Sequence, residues 1–299
     1  MNSESSDVRN SVDHVCVDYQ AELGAITHKG HVRSQNEDSY LLIRFGRSLE
    51  NVMTNLEDHL LKKDYSVSGY GLLVADGMGG MAGGQVASRM TLAKLVELIV
   101  DTSDWTLRMD RESDANTVMR RMSDRFLKID QALREEAAVN TSLRGMGTTL
   151  TVAGLLGREL VIGHVGDSRA YLLSAGNLKQ LTTDHTMAQA LIDAGVAKYD
   201  DPATRSMRHV LTAAIGAMGD GHEPQVQRYT LADSDQLLLC TDGLTEIVDD
   251  ATIARVLSEA ESAQAACETL LDLALEGGGP DNITVVVLRL RAPLPASKS

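Results

Sequence analysis

The chain has 299 residues, 43% of them hydrophobic, and carries a formal net charge of −14. That is enough apolar material for a large packed core, in one domain or two. The acidic excess, with no Lys/Arg run to interrupt it, argues against nucleic acid or an anionic membrane as partner.

Residues 1–20 read as a flexible segment, and Met1 to Ser11 are polar. They have no apolar signal core, and the longest apolar run, around Leu92 to Val100, is too short and too amphipathic to span a bilayer, so a cytoplasmic location is expected. Short apolar strands are predicted at Leu23–Thr27 and Tyr40–Phe45, with Glu37 and Asp38 just before the second. From Arg44 to Ser68, the residues Leu49, Val52, Met53, Leu56 and Leu60 follow helical spacing, which predicts an amphipathic helix packed on the body's edge or offered to a partner. A further strand, Tyr70–Ala75, ends at Asp76-Gly77.

Helical spacing then runs through Val86, Met90, Ala93 and Leu95 to Val100, and again through Val118, Met122, Phe126, Ile129 and Leu133. Thr148–Leu156, Leu160–Val165 and Ala170–Ser174 are separated by tight Gly-containing turns and predict an antiparallel meander. Residues 183–216 are punctuated by Gly195, Asp200-Asp201-Pro202 and Gly216, as in a loop-rich unit. The run Leu237 to Cys240 predicts a buried thiol. Cys16, Cys240 and Cys267 form no CxxC pair, and none has an Arg six positions on, which excludes a cysteine-nucleophile loop of the tyrosine-phosphatase kind. Ala263–Leu275 reads as a helix, and residues 292–299 as a tail. Helices come in blocks between strand pairs rather than after each strand, so the expected fold class is α+β with antiparallel sheets, and residues 21–291 form its body.

Carboxylates gather at the strand ends. Glu37-Asp38, Asp76-Gly77, Asp242-Gly243 and Asp281-Asn282 each sit at a loop beside an apolar strand. If folding brings them together, each close pair repels by roughly 4 kcal/mol at an effective dielectric of about 20. Divalent cations between them offset that cost. Every candidate ligand is an oxygen, which favours Mg²⁺ or Mn²⁺ over Zn²⁺.

The blocks Arg33 with Asn36-Glu37-Asp38-Ser39, Val74 to Gly80, Gly145 to Thr149, Gly166-Asp167-Ser168-Arg169, Leu181 to His185, Cys240 to Gly243 and Asp281 to Thr284 occur in a fixed order. From about Leu23 to Leu290 the chain resembles the metal-dependent type 2C protein serine/threonine phosphatases, bacterial type. The resemblance implies a four-layer α-β-β-α sandwich of two antiparallel sheets, with a mobile flap at about 183–216. It implies hydrolysis of phosphoserine and phosphothreonine in proteins by a metal-bridging hydroxide, without a phosphoenzyme, and an opposing Ser/Thr protein kinase. Asp76 would bridge two tightly bound Mg²⁺ or Mn²⁺ ions, Asp242 and Asp281 would complete the first, and the Gly77 carbonyl would join the second. Glu37 and Asp38 would form an outer shell acting through water. Arg33 would grip the substrate phosphate, and Asp167 with Asp242 would hold a third, weaker ion. Met78 stands where many relatives place a general-acid His, so the proton for the leaving group must come from elsewhere.

Plainer readings remain for several of these residues. Asp167-Ser168-Arg169 also reads as a hairpin turn tied by an ion pair, Arg33 as a partner for Glu37, and His185 as a structural loop residue. Thr148 and Thr149 read as core and backbone-bonding residues. Other readings of the whole are a pseudo-phosphatase that binds phosphoproteins without turnover, and a hydrolase of small phosphoesters.

Overall fold

The computed structural model describes residues 20–49, 53, 65–79, 83–102, 112–198, 201–217 and 223–291. The chain starts with β1 (Gln20–His28), β2 (Ser39–Leu49) and β3 (Tyr65–Ala75). After β4 (Gly77–Met78) come two helices, α1 (Gly83–Asp101) and α2 (Glu112–Val139). Five strands follow: β5 (Gly147–Thr148), β6 (Leu150–Leu156), β7 (Glu159–Val165), β8 (Arg169–Ser174) and β9 (Asn177–Gln180). Short helices α3 (Met187–Asp193) and α4 (Pro202–Arg205) precede β10 (Gln225–Thr230). The rest is β11 (Gln236–Cys240), α5 (Asp242–Thr245), α6 (Asp250–Glu259), α7 (Ala263–Glu276) and β12 (Ile283–Arg291).

Two five-stranded antiparallel sheets, ordered β1-β12-β11-β8-β9 and β10-β7-β6-β3-β2, stack face to face. Helices α1 and α2 cover the outer face of the second sheet, and α6 and α7 that of the first. Central strands are therefore buried on both faces, which explains their unbroken apolar runs. In β3, Leu72 and Val74 point into the core between the sheets, while Leu73 and Ala75 point to the helix side. Along β12, Val286 and Leu288 face the other sheet, and Val285 and Val287 face α7. Each such valine or leucine contributes about 1.5–3 kcal/mol by leaving water. The predicted stripe Val118, Met122, Phe126, Ile129 and Leu133 is the buried face of α2, and Ser262 caps α7 by accepting from Ala265 N at 3.0 Å.

Two expectations need correction. The segment from Thr148 to Ser174 is not one meander: β6 and β7 pair as a hairpin, but β8 joins the other sheet beside β11. The crossing is made at Gly166, whose φ of +113 suits glycine and whose missing Cβ leaves room for the Thr149 side chain. Nor is the 44–68 stretch a helix at its ends. Leu49 is the last residue of β2, opposite Tyr65 in β3, so these strands run longer than expected. Met53 is exposed; Val52, Leu56 and Leu60 lie outside the described residues, as do the expected flexible segment through residue 19 and the tail at 292–299.

Candidate active site

Strand register brings the distant acids to one end of the sandwich. Ser39 pairs with Ala75, so Asp38 and Asp76 flank one rung of the second sheet. In the first sheet Cys240 pairs with both Arg169 and Val285, so Asp167, Asp242 and Asp281 lie just beyond adjoining strand ends. Asp76 is influenced by Asp38, Asp242, Asp167 and Asp281 together, so the five carboxylates form one electrostatic unit.

The surrounding backbone is tied so that the carboxylates stay aimed. Asp76 N donates to Thr149 Oγ1 at 2.9 Å, and Asp76 O accepts from Thr148 Oγ1 at 2.8 Å and Thr149 N at 2.8 Å. Thr148 and Thr149 are thus the backbone-bonding residues expected, and they hold the Asp76 loop. Asp38 Oδ2 accepts from Thr241 Oγ1 at 2.8 Å and Thr284 Oγ1 at 2.7 Å. Asn282 joins the Glu37 and Asp281 loops by accepting from Glu37 N at 2.8 Å and donating to the Lys29 and Gln35 carbonyls, each at 2.9 Å. Gly77 is needed for space rather than for a left-handed φ: a Cβ there would lie 2.1 Å from the Gly84 carbonyl oxygen in the first turn of α1.

Electrostatics at the site oppose so many negative charges. Burial, then the neighbouring acids, push Asp76 and Asp242 well above the carboxylate range. Burial also lifts Asp38 to about 7 against the pull of its two threonine hydroxyls, and lifts Asp167 to about 7, with Asp184 adding to it. Glu37 is raised by burial and by Asp281, against the pull of Arg33. Asp38 Oδ1 and Asp242 Oδ1 are buried without a hydrogen-bond partner. Buried acceptors of this kind, all oxygen and all near other carboxylates, fit hard divalent cations.

The plainer reading of Arg33 as an ion-pair partner for Glu37 gives way to another partner: Arg33 Nη2 donates to Asp281 Oδ2 at 2.6 Å. This bond, then Asp281, Asp76 and Asp242 as nearby charges, raises Arg33 despite its burial. Asp167 lies on the crossover between sheets, not in a hairpin, and Arg169 is held by Asp184, with Nε to Oδ1 at 2.9 Å and Nη2 to Oδ2 at 2.6 Å. His185 is a structural loop residue: Nδ1 accepts from Gly166 N at 3.2 Å, and its backbone bonds Gly166 and Thr212. Beside it, 5.0 Å between ring centroids, burial lowers His164 to about 3 and keeps it neutral. The cysteine reading holds for Cys240, buried, with burial pushing its thiol up to about 12. Sequence reasoning missed His209 and Glu246, which line a cavity of about 280 Å³ next to Asp167 and Asp242. The spacing of Asp242 and Glu246 was a usable signal; nothing in the sequence marks His209.

Comparison with known proteins follows the same lines. The family model described as protein phosphatase 2C matches residues 45–275. The chain is 37% identical over 216 residues to the serine/threonine protein phosphatase PstP of Mycobacterium tuberculosis, covering 72% of this chain but 39% of that relative, so it spans well under half of it. It is 31% identical over 264 residues to the serine/threonine phosphatase stp of Listeria welshimeri, covering 88% of this chain and 93% of that one. A crystal structure of the PstP catalytic domain, in complex with 2 manganese ions, superposes with a TM-score of 0.69 at 32% identity over 91% of this chain and 98% of that one. Arg33, Glu37, Asp38 and Asp281 fall outside the matched range of the family model, yet the fold places them at the same end as Asp76 and Asp242. The chain belongs to the protein phosphatase 2C family.

Proposed function

We propose that this protein is a metal-dependent phosphatase of phosphoserine and phosphothreonine in proteins, opposing a Ser/Thr protein kinase. The observation that carries the reading is the convergence of Asp38, Asp76, Asp167, Asp242 and Asp281 at one end of the sandwich, two of them with buried, unpartnered oxygens. Among the described residues no helix is long and apolar enough to cross a membrane, and a cytoplasmic location is part of this reading.

Asp76, Asp242 and Asp281 would hold the ions together with the Gly77 carbonyl, and Asp167 with Asp242 would hold a third and weaker one. When bound, Mg²⁺ or Mn²⁺ supplies a nucleophilic water at neutral pH and neutralises the phosphate charge. The chain's own residues do the rest. Thr241 and Thr284 orient Asp38, which with Glu37 would stand behind the ligands and act on the ions through water. Arg33, poised on Asp281, offers its planar fork to the substrate phosphate. Met78 cannot donate a proton, so the leaving alkoxide would take its proton from a water or from another residue, or leave more slowly. Residues 183–216, between β9 and β10, serve as the flap facing the substrate.

Asp76→Asn, Asp242→Asn and Asp281→Asn are each expected to abolish release of phosphate from a phosphothreonine peptide and to lower the number of Mn²⁺ ions bound at equilibrium. Full activity in any of the three would contradict the ligand assignment.

A further inference from the structure

The two arms of the 183–216 segment are joined at a base: Thr212 N donates to His185 O at 2.8 Å, and Thr186 and Leu211 pair as an antiparallel bridge. Just beyond that base, Ala213, Ala214 and Ile215 are buried. Ile215 exchanges two backbone hydrogen bonds with Thr148, its N donating to Thr148 O at 2.9 Å and its O accepting from Thr148 N at 3.0 Å. Thr148 pairs in turn with Gly77 across β4 and β5. Ile215 is therefore one outer row of a small sheet whose other outer row carries Gly77. The Thr148 hydroxyl, in the middle row, also holds the Asp76 carbonyl at 2.8 Å.

Gly216 follows with a φ of +87, and a Cβ there would lie 2.9 Å from Leu133 Cβ, so α2 packs directly on its backbone. Its N–H donates to Asp130 Oδ1 at 2.7 Å, and Asp130 Oδ2 pairs with Arg134 Nη2 at 2.9 Å. Asp130, Leu133 and Arg134 share one face of α2 by their spacing. Aspartate is a poor choice for a helix interior, where its carboxylate competes for backbone groups. Here the carboxylate, its side chain only 15% exposed, instead satisfies a backbone N–H of another segment. We propose that Asp130 is a positioning residue for the ion expected at Asp76 and Gly77: by holding Gly216 N it fixes Ile215, and through Ile215 and Thr148 it fixes both the Asp76-Gly77 backbone and the base of the 183–216 segment. The inference rests on the reading of Asp76 and Gly77 as metal ligands. Loss of the bond is then felt twice, as weaker ion binding and as a weaker hold on substrate by the segment facing it.

The test is an equilibrium Mn²⁺ titration of the full chain, with free Mn²⁺ counted by electron spin resonance and phosphate release from a phosphothreonine peptide followed over the same range. Asp130→Ala should raise the Mn²⁺ concentration for half occupancy by about threefold to tenfold, the range of one lost hydrogen bond, and should speed trypsin cleavage after Lys198 or Arg208. At saturating Mn²⁺ its kcat should return towards wild type while its KM for the peptide stays raised. Asp130→Asn keeps the acceptor for Gly216 N and should restore Mn²⁺ affinity to the wild-type value. Val118→Ala, about three turns earlier on α2, should lower Tm and leave Mn²⁺ affinity unchanged, which separates positioning from helix stability. If Asp130→Ala does not fold, Asp130→Glu, whose oxygens sit one methylene further out, carries the same expectation. Wild-type Mn²⁺ affinity in the Ala or Glu variant, an Asp130→Asn protein as weak as Asp130→Ala, or an equal loss in Val118→Ala would overturn the inference and leave the metal reading standing. Absence of Mn²⁺ binding by wild type would overturn the metal reading and this inference with it.

Discussion

Asp38 is a carboxylate placed where its charge is disfavoured. Burial lifts it to about 7, well above its unfolded value. Between about pH 4 and 7 the folded, ion-free protein therefore binds more protons at this group than the unfolded chain does, and stability falls as pH rises through that window. Asp76, Asp167 and Asp242 shift the same way and add to the slope. In excess chelator the Tm should decline from pH 5 to pH 8, and Mn²⁺ should restore it at pH 8; a chelated protein whose Tm is flat or rises over that range would show that the acids are not crowded as described. Asp38→Asn keeps an acceptor for Thr241 and Thr284 but removes a charge, so it should raise the ion-free Tm at pH 8 while weakening Mn²⁺ affinity. Arg33 makes a different prediction. A charged hydrogen bond is worth about 1.5–3 kcal/mol, so Arg33→Ala should raise KM for a phosphopeptide by about tenfold to a hundredfold and weaken inhibition by free phosphate. Arg33→Lys should recover part of the loss, because an ammonium lacks the planar two-point contact. Inhibition by phosphate that is unchanged in Arg33→Ala would leave Arg33 only its structural bond to Asp281. At this scale the acids were legible in the sequence because they stand in ordered blocks. The hydroxyls that aim them were not, because Thr241 and Thr284 meet Asp38 across more than two hundred residues.

Strand and helix periods were equally legible where one face, or both, is buried. The stripe on α2 and the apolar run of β3 appear where their spacing predicts them. The route between elements was not legible: β8 leaves the sheet of β7 because Gly166 turns the chain there, and no local pattern says which sheet an apolar strand will join. The same limit applies to Leu49, whose helical spacing with Met53 was overridden by its pairing with Tyr65. Close packing of α1 on the Asp76 loop yields a prediction for the element. At Gly84 a Cβ would lie 2.7 Å from the Gly77 carbonyl and 2.8 Å from the Glu37 carboxyl carbon. Gly84→Ala should therefore push α1 away from β4, lowering Tm and weakening Mn²⁺ binding together, with overall secondary structure kept. A Gly84→Ala protein with wild-type Mn²⁺ affinity would show that α1 does not set the position of the Asp76 loop.

At the scale of the whole molecule, the two sheets bring together acids drawn from Asp38 to Asp281, and the site exists only when both sheets are in register. Ions held there would link β2, β3, β8, β11 and β12, so ion binding and global stability should move together. The central claim is that this cluster is the seat of protein phosphatase chemistry and that divalent ions are required for it. Its most direct test is steady-state phosphate release from a phosphothreonine peptide, first with Mn²⁺, then with excess chelator, then with Mn²⁺ restored. Turnover that requires Mn²⁺, stops in chelator and returns on re-addition is the expected result; turnover undiminished in excess chelator, or none in the folded, Mn²⁺-loaded protein, would contradict it.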